Sequence, residues 1–461
     1  MRSTGSGPSP SVRIVGGGLA GCEAAWQLAA RGVDVELYEM RPTRTTLVHT
    51  SPDLAELVCS NSLRSDSPEV AVGLLKRELR ALGSLVLAAA DHHRVPAGSA
   101  LAVDRALFAR EITRVLEAHP RVTIRREEVR SVPREGPTLL TPGPLVSDAL
   151  AADLAELLGT DHLSFFDAIA PIVDGSSLDM DRLFAASRWD RGDGDDYLNA
   201  PMDAETYRGF VDALLAADRI QPAPFDGDDK IPHFPGCQPV EAIASTGPRA
   251  LAFGPLKPVG LRPPDGSRPA AVVQLRAEDR ARTAFNLVGF QTRLRRPAQE
   301  QVFRSIPGLE HARFLRYGSI HRNTFVDAPA VLDGELRLRA RPSVRIGGQL
   351  SGSEGYVESV ATGLLAALFL YGELTGVPLP APPLETALGG LLNYVTRGTG
   401  GRFQPSNMHF GLLPPGLGRR RERRQGTAES AAVALGGWMV ALPGSPSPEF
   451  SETAPGAPAG I

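Results

Sequence analysis

Apolar residues near the start of the chain fall into short runs. Val12 to Val15 reads as a buried strand and Val33 to Tyr38 as a second, with a helix between them. Helical spacing of apolar positions returns from Glu69 to Leu82. Asp104 to Glu117 repeats it, with Asp104 as N-cap and Leu107, Phe108, Ile112 and Leu116 on one side. Val122 to Arg125 and Leu139-Leu140 are predicted strands, and Thr141-Pro142-Gly143-Pro144 is a sharp turn before a helix at Ala149 to Leu158. Val272 to Arg276 and Asn286 to Gln291 are further predicted strands. Val344-Arg345-Ile346 ends in Gly347-Gly348-Gln349, and a long apolar helix follows Gly352 to Tyr356 as Val357 to Leu370.

The first strand runs straight into Gly16-Gly17-Gly18-Leu19-Ala20-Gly21, and the second ends on Glu39. A strand, Gly-x-Gly-x-x-Gly, a helix and a terminal acid about 20 residues on form the dinucleotide-binding fingerprint. Gly16 permits the tight turn, Gly18 lets backbone approach a pyrophosphate, and Gly21 lets helix and strand pack closely. The helix N-terminus offers N–H groups and partial positive charge to the phosphates, and Glu39 is placed for the ribose hydroxyls. NAD and FAD are equally eligible on this fingerprint alone. The late junction at Gly347, Gly348 and Gln349 tilts the choice to FAD, because FAD folds return to the nucleotide domain there; a separate αβ unit is the alternative.

The expected fold class is α/β: a Rossmann-like FAD-binding domain of the two-dinucleotide-binding-domain flavoprotein type, with an inserted α+β domain. The expected division is a disordered N-terminus over 1–10, nucleotide domain over 11–164 and 342–415, and insertion over 165–341. The remainder, 416–461, is an arginine run followed by a Pro/Ala/Gly-rich tail, read as disordered.

Composition adds exclusions. The 461 residues suffice for two or three domains, and 42% hydrophobic with 22% charged is a globular balance. The N-terminus lacks the apolar core of a signal peptide, and no run of 18 apolar residues is found, so no membrane span is expected. Three cysteines, Cys22, Cys59 and Cys237, show neither metal spacing nor a close redox pair, which points to a reducing, cytoplasmic compartment. The net charge of −3 hides segregation: 19 acidic against 6 basic residues from Leu145 to Pro235, then 14 arginines against 7 acids from Arg276 to Arg345. Such a chain can present a face to a polyanion, although ordinary solvated surfaces give the same counts.

Cys59 lies among small polar residues in Leu57-Val58-Cys59-Ser60-Asn61-Ser62-Leu63-Arg64, with a cation close in sequence, the setting that favours thiolate. Cys237 lies in a Gly/Pro loop, Phe234-Pro235-Gly236-Cys237-Gln238-Pro239. A buried inert thiol is the competing reading of each. Cys22, on the first helix, reads as a small packed residue. His321-Arg322-Asn323-Thr324 is a donor-rich trio and its neighbour, suited to a phosphate or a glutamate tail, or simply a polar loop. Gln404-Pro405-Ser406-Asn407 is similarly open. There is no Walker loop, zinc signature or nucleophile elbow.

Taken together, ten blocks resemble one family. They are Ile14 to Trp26, Tyr38 to Pro42, Glu56 to Arg64, Ala71 to Lys76, Val95 to Gly98 with Ala100 to Arg105, Asp167 to Ile172, Gly236 to Glu241, Tyr317 to Phe325, Gly347 to Ser359 and Phe403 to Pro414. In order and over about residues 11 to 415, the chain resembles the folate- and FAD-dependent tRNA (uracil-5-)-methyltransferases. The flavoproteins that install carboxymethylaminomethyl groups on the tRNA wobble uridine share the nucleotide domain and are the nearest alternative, followed by an FAD oxidoreductase of small molecules. The resemblance implies that NADH or NADPH reduces bound FAD. It further implies that a one-carbon unit passes from 5,10-methylenetetrahydrofolate to C5 of a uridine in the tRNA T loop. It maps the family's two cysteines onto Cys59 and Cys237; the chemistry needs a nucleophile at uracil C6, assigned to Cys237, and an acid/base near the flavin, assigned to Cys59, with the sequence leaving the exchange of the two roles open. Departures are Cys22 where a Ser is common, Pro142 where a Thr is usual, and the arginine run and tail after Pro415, which look like an addition.

Overall fold

The computed structural model describes residues 11–46, 48–159, 163–192, 194–220, 238–398, 403–415, 420–444 and 446–448, the side chains of 163–168, 320–322 and 420–424 excepted. The central sheet has the strand order Arg337–Leu338, Arg341–Ile346, Thr138–Leu140, Val12–Val15, Val35–Tyr38, Val122–Arg125. All its pairings are parallel except the first, an antiparallel hairpin at the edge. Parallel strands must be covered on both faces, which is why these short strands read as apolar runs.

Two helices pack against each other on this sheet. The first, Leu19–Ala29, is buried at every position. The second, Tyr356–Thr375, is apolar all round and would suit a membrane span by length and composition, yet 78% of that window is buried inside the protein. A helix hydrophobic on all sides is a core helix when protein surrounds it. Their backbones touch at Gly363, where a Cβ would collide with the Ala20 carbonyl.

A second sheet is antiparallel, in the order Phe184–Ala185, Tyr197–Met202, Ala271–Ala277, Ala284–Leu287, Ile172–Asp174, Phe314–Arg316. It has its own apolar cluster, drawn from Ala170 to Ala312. The larger cluster joins Val12–Leu154 residues with residues from Phe325 to Trp438, so the two ends of the chain share one core. A two-stranded ribbon, Leu163–Ile169 with Ser319–Phe325, runs between the parts. Ser62–Ser65, Ala100–Val103 and Arg94–Val95 form a small third sheet.

Two expectations change. The strand expected at Asn286 to Gln291 is Ala284–Leu287, because Gly289 takes a left-handed conformation (φ +82°) and Phe290 N–H closes a turn onto Leu287. The tail expected to be disordered from 416 contains a helix, Arg420–Met439. Ala431, Leu435 and Trp438, at helical spacing, are buried, and the Trp438 indole N–H donates to the Pro380 carbonyl at 2.8 Å. The Pro/Gly-rich composition that argued for disorder is concentrated beyond this helix.

Candidate active site

A cleft opens where the glycine turn meets the late junction. Gly16, Gly17, Gly18, Leu19, Ala20, Glu39, Gly348 and Gln349 all line it, with Thr141 to Leu145 and Tyr356. Gly21 and Gly347 stand behind the wall: a Cβ on Gly21 would strike the Gly16 carbonyl, and Gly347 N–H donates to Leu140 O at 3.0 Å. Gly16 has φ +105° and leaves no room for a side chain against Thr141 and Pro142. Gly18 is different, with nothing within 4 Å of its missing Cβ. It is also the N-cap of Leu19–Ala29, and no side chain caps that helix. An uncapped helix start beside open space fits a bound pyrophosphate. These features fit FAD: the turn and helix for its phosphates, and Gly348, Gln349 and Tyr356 for its ring end.

Glu39 lines the cleft but is heavily engaged. Its Oε2 accepts from Gly17 N–H (3.1 Å) and Arg41 Nη2 (3.2 Å), and its Oε1 from Arg41 N–H and Nε (both 2.9 Å). Burial pushes this carboxyl up, but Arg41's hydrogen bonds and charge outweigh it and hold it below the ordinary range. Arg41 also pairs with Glu56 at 3.0 Å. His49, on the same wall, is driven down to about 4 by burial and the Arg41 charge, so it is neutral at pH 7. Arg41, Glu56 and His49 carried no signal of this role in sequence, where only Glu39's place at a strand end is legible.

Cys59 is half-buried, between two residues in left-handed backbone, Ala55 (φ 52°) and Arg64 (φ 63°). Ala55 N–H donates to Gly17 O at 2.9 Å, so the segment starts on the glycine turn itself. The Tyr356 hydroxyl accepts from Cys59 N–H (2.8 Å) and Ser60 N–H (3.2 Å). Burial, then the neighbouring Cys59, pushes the Tyr356 phenol well up, so it stays protonated. Arg105 donates to Leu57 O and pairs with Glu278 at 2.8 Å. Arg316 is pushed down by burial and by the charge of Arg105, and its Nη2 donates to Val48 O at 3.2 Å. Cys59, Arg105 and Arg316 thus gather around Tyr356, which lines the cleft.

Cys22 is fully buried, donates to Gly17 O at 3.3 Å and is pushed up by burial, as a packed thiol should be. Cys237 lies outside the described residues. His321 and Arg322 lie on Ser319–Phe325 with their side chains outside the described set, and Asn323 is buried. Thr324 N–H donates to Pro144 O at 3.1 Å, tying that strand to the turn lining the cleft. Ser406, from the second ambiguous segment, exchanges backbone hydrogen bonds with Gly352 and Glu354 below the helix Tyr356–Thr375.

Residues 11–378 match the family model described as glucose inhibited division protein A. A protein of Pelobacter propionicus named methylenetetrahydrofolate--tRNA-(uracil-5-)-methyltransferase is 52% identical over 447 residues, covering 96% of this chain and 97% of that one. One of the same name from Geobacter sulfurreducens is 53% identical over 435 residues, 94% of this chain and 99% of that one. A match spanning 96% of the chain cannot omit everything after Pro415, so that region is not wholly an addition. The crystal structure of Aquifex aeolicus GidA superposes with a TM-score of 0.67 over 93% of this chain and 74% of that one, at 16% identity, which supports the fold. The chain belongs to the glucose inhibited division protein A family and, at this identity over this length, to the methylenetetrahydrofolate--tRNA-(uracil-5-)-methyltransferases.

Proposed function

We propose that this protein methylates C5 of a uridine in the tRNA T loop, taking the carbon from 5,10-methylenetetrahydrofolate and the electrons from NADH or NADPH through FAD. The observation that carries it is Cys59 held through its backbone N–H by Tyr356, a residue that lines the cleft at the glycine turn, in a chain about half identical to named tRNA methyltransferases. FAD, when bound, supplies the reducing equivalents, and the folate supplies the carbon.

The chain's own residues then have distinct tasks. Gly16, Gly17, Gly18, Leu19, Ala20 and the start of the first helix hold the pyrophosphate; Glu39 closes the adenosine end; Gly348 and Gln349 face the ring end. Gly21 and Gly347 shape these turns from behind. Uracil C5 is a poor nucleophile, and addition of the Cys237 thiolate at C6 makes it an enolate carbon. Once C5 has bonded to the one-carbon unit, which leaves its folate nitrogens, Cys59 takes the C5 proton, the C6–S bond breaks and Cys237 leaves as thiolate; the hydride that completes the methyl group would come from reduced FAD. The target base leaves its stack to reach the cleft. A nucleotide domain split by an insertion is supported by the two separate apolar clusters, although Phe325 to Leu338, within the expected insertion of 165–341, pack with the cluster of 11–164 and 342–415. The cytoplasm, where tRNA resides, is the compartment this reading requires.

The test is transfer of label from 14C-methylenetetrahydrofolate, with NADPH and T-loop-unmodified tRNA, to the purified protein's product base. Label in 5-methyluridine is expected, and its loss in Cys59→Ser and in Cys237→Ala. A flavin-loaded protein that transfers no label to tRNA would instead be an oxidoreductase of another substrate.

A further inference from the structure

Strand Ala271–Ala277 of the antiparallel sheet sends one side chain out of its own sheet and into the Cys59 segment. Arg276 is 7% exposed. Its Nε donates to Asn61 Oδ1 at 2.8 Å and its Nη2 to Ser60 Oγ at 2.7 Å. Asn61 is fully buried, and its amide donates to Val103 O and to Ala277 O, both at 2.9 Å. Ser60 Oγ also accepts from Ser62 N–H at 3.1 Å. The residues just after Cys59 are thus pinned to one strand of the antiparallel sheet. Just beyond that strand, Glu278 pairs with Arg105, which grips the segment on its other side at Leu57 O.

Among the described residues, no carboxylate pairs with Arg276. Among those residues its hydrogen-bond partners, Asn61, Ser60 and Tyr197, are neutral, and burying a guanidinium without a paired carboxylate is an expensive way to hold a loop. The left-handed residues Ala55 and Arg64 show that the segment does not lie in its intrinsically preferred backbone, so tethers must impose it. Purely structural packing has cheaper solutions; a fixed cation aimed at the residue next to Cys59 fits positioning.

We propose that Arg276, acting through Ser60 and Asn61, is a positioning residue that sets Cys59 for proton transfer at uracil C5 and links its placement to the antiparallel sheet. This rests on the reading of Cys59 as the acid/base of the methyl transfer. Displacement of a reacting group by about 1 Å costs on the order of 100-fold in rate, so loss of the tether acts on turnover before it acts on binding.

The experiment uses the flavin-loaded full chain with unmodified tRNA and labelled methylenetetrahydrofolate. Arg276→Gln is expected to lower kcat about 10- to 100-fold while the KM for tRNA stays within about twofold. Arg276→Lys, which keeps a cation but cannot serve both acceptors from a fork, should recover part of that loss. Ser60→Ala removes one contact without touching the strand and should lower kcat about 3- to 10-fold at unchanged melting temperature; it decides the matter if Arg276→Gln fails to load flavin. Wild-type kcat in every variant that folds and binds flavin overturns the proposal. Cys59→Ser, run alongside, separates the two failures: full activity there removes the underlying reading, whereas inactivity there with an active Arg276→Gln removes only the positioning role.

Discussion

Glu39 shows how a residue can be read correctly in place and incompletely in role. A carboxylate has about four lone-pair sites, and all four are occupied here, by Gly17 N–H and by three donors of Arg41. A ribose must therefore share this carboxylate or displace Arg41. It follows that Glu39 holds the glycine turn even without a nucleotide. Glu39→Ala leaves Gly17 N–H and part of the Arg41 guanidinium unpaired in a buried site, and should lower the unfolding free energy of the FAD-free protein by about 3 kcal/mol in urea titration. An unchanged value in FAD-free protein would mean that the carboxylate is kept for the ribose alone. The strand-end position of Glu39 was legible from pattern because the fingerprint is local. Tyr356 was not, because its partner Cys59 lies 297 residues away in the chain, and Arg41 and Glu56 were not, because their pairing depends on how the loop between them folds back.

At the scale of elements, one helix completes the end of another. Glu78, on Ala71–Ala81, accepts from Ala387 N–H (2.7 Å) and Leu388 N–H (2.8 Å) at the start of the helix Ala387–Arg397. Burial pushes its pKa up to about 7, against the pull of those two N–H groups and of Arg77. A carboxyl whose folded pKa exceeds its unfolded value is favoured protonated by the fold. Its stabilisation is thus full below about pH 4.5, falls as pH rises toward 7, and is level above. Glu78→Gln stays neutral and keeps one acceptor, so the variant-minus-wild-type difference in urea stability should grow from pH 5 to pH 8, by up to about 3 kcal/mol. A flat difference across that range would show that Glu78 is not titrating there. No sequence pattern announces a cap supplied from 309 residues away. What periodicity does reveal are the helices themselves, near 71–81, 105–118 and 356–375, since each buries a face against the shared core. It misplaced the strand at Ala284–Leu287, where a glycine turn ended pairing early, and overlooked Arg420–Met439, whose buried stripe of Ala431, Leu435 and Trp438 is sparse.

At the scale of the whole molecule, charge that is segregated along the chain is brought together in space. The acidic stretch and the arginine-rich stretch supply strands to one antiparallel sheet, and Arg313 meets Asp174, Arg182 meets Glu310, and Arg295 meets Asp218. Each exposed pair contributes little to stability, and two of the three engage an arginine of the arginine-rich stretch with an acid of the acidic one. The cleft behaves in the opposite way, joining parts the sequence keeps apart: its walls come from 15–20, 38–58, 127–150 and 348–359. A ligand seated there binds only when both ends of the chain are folded together, so its binding free energy is added to the stability of the entire nucleotide-binding part. FAD at about a hundred times its dissociation constant should stabilise the folded protein by about 2.7 kcal/mol, with a melting temperature that climbs with FAD concentration. Hydrogen exchange should slow at 16–20 and at 348–359 together. Protection confined to the first segment, with the second exchanging as in FAD-free protein, would separate the late glycine junction from the flavin and leave the opening fingerprint to bind a dinucleotide alone.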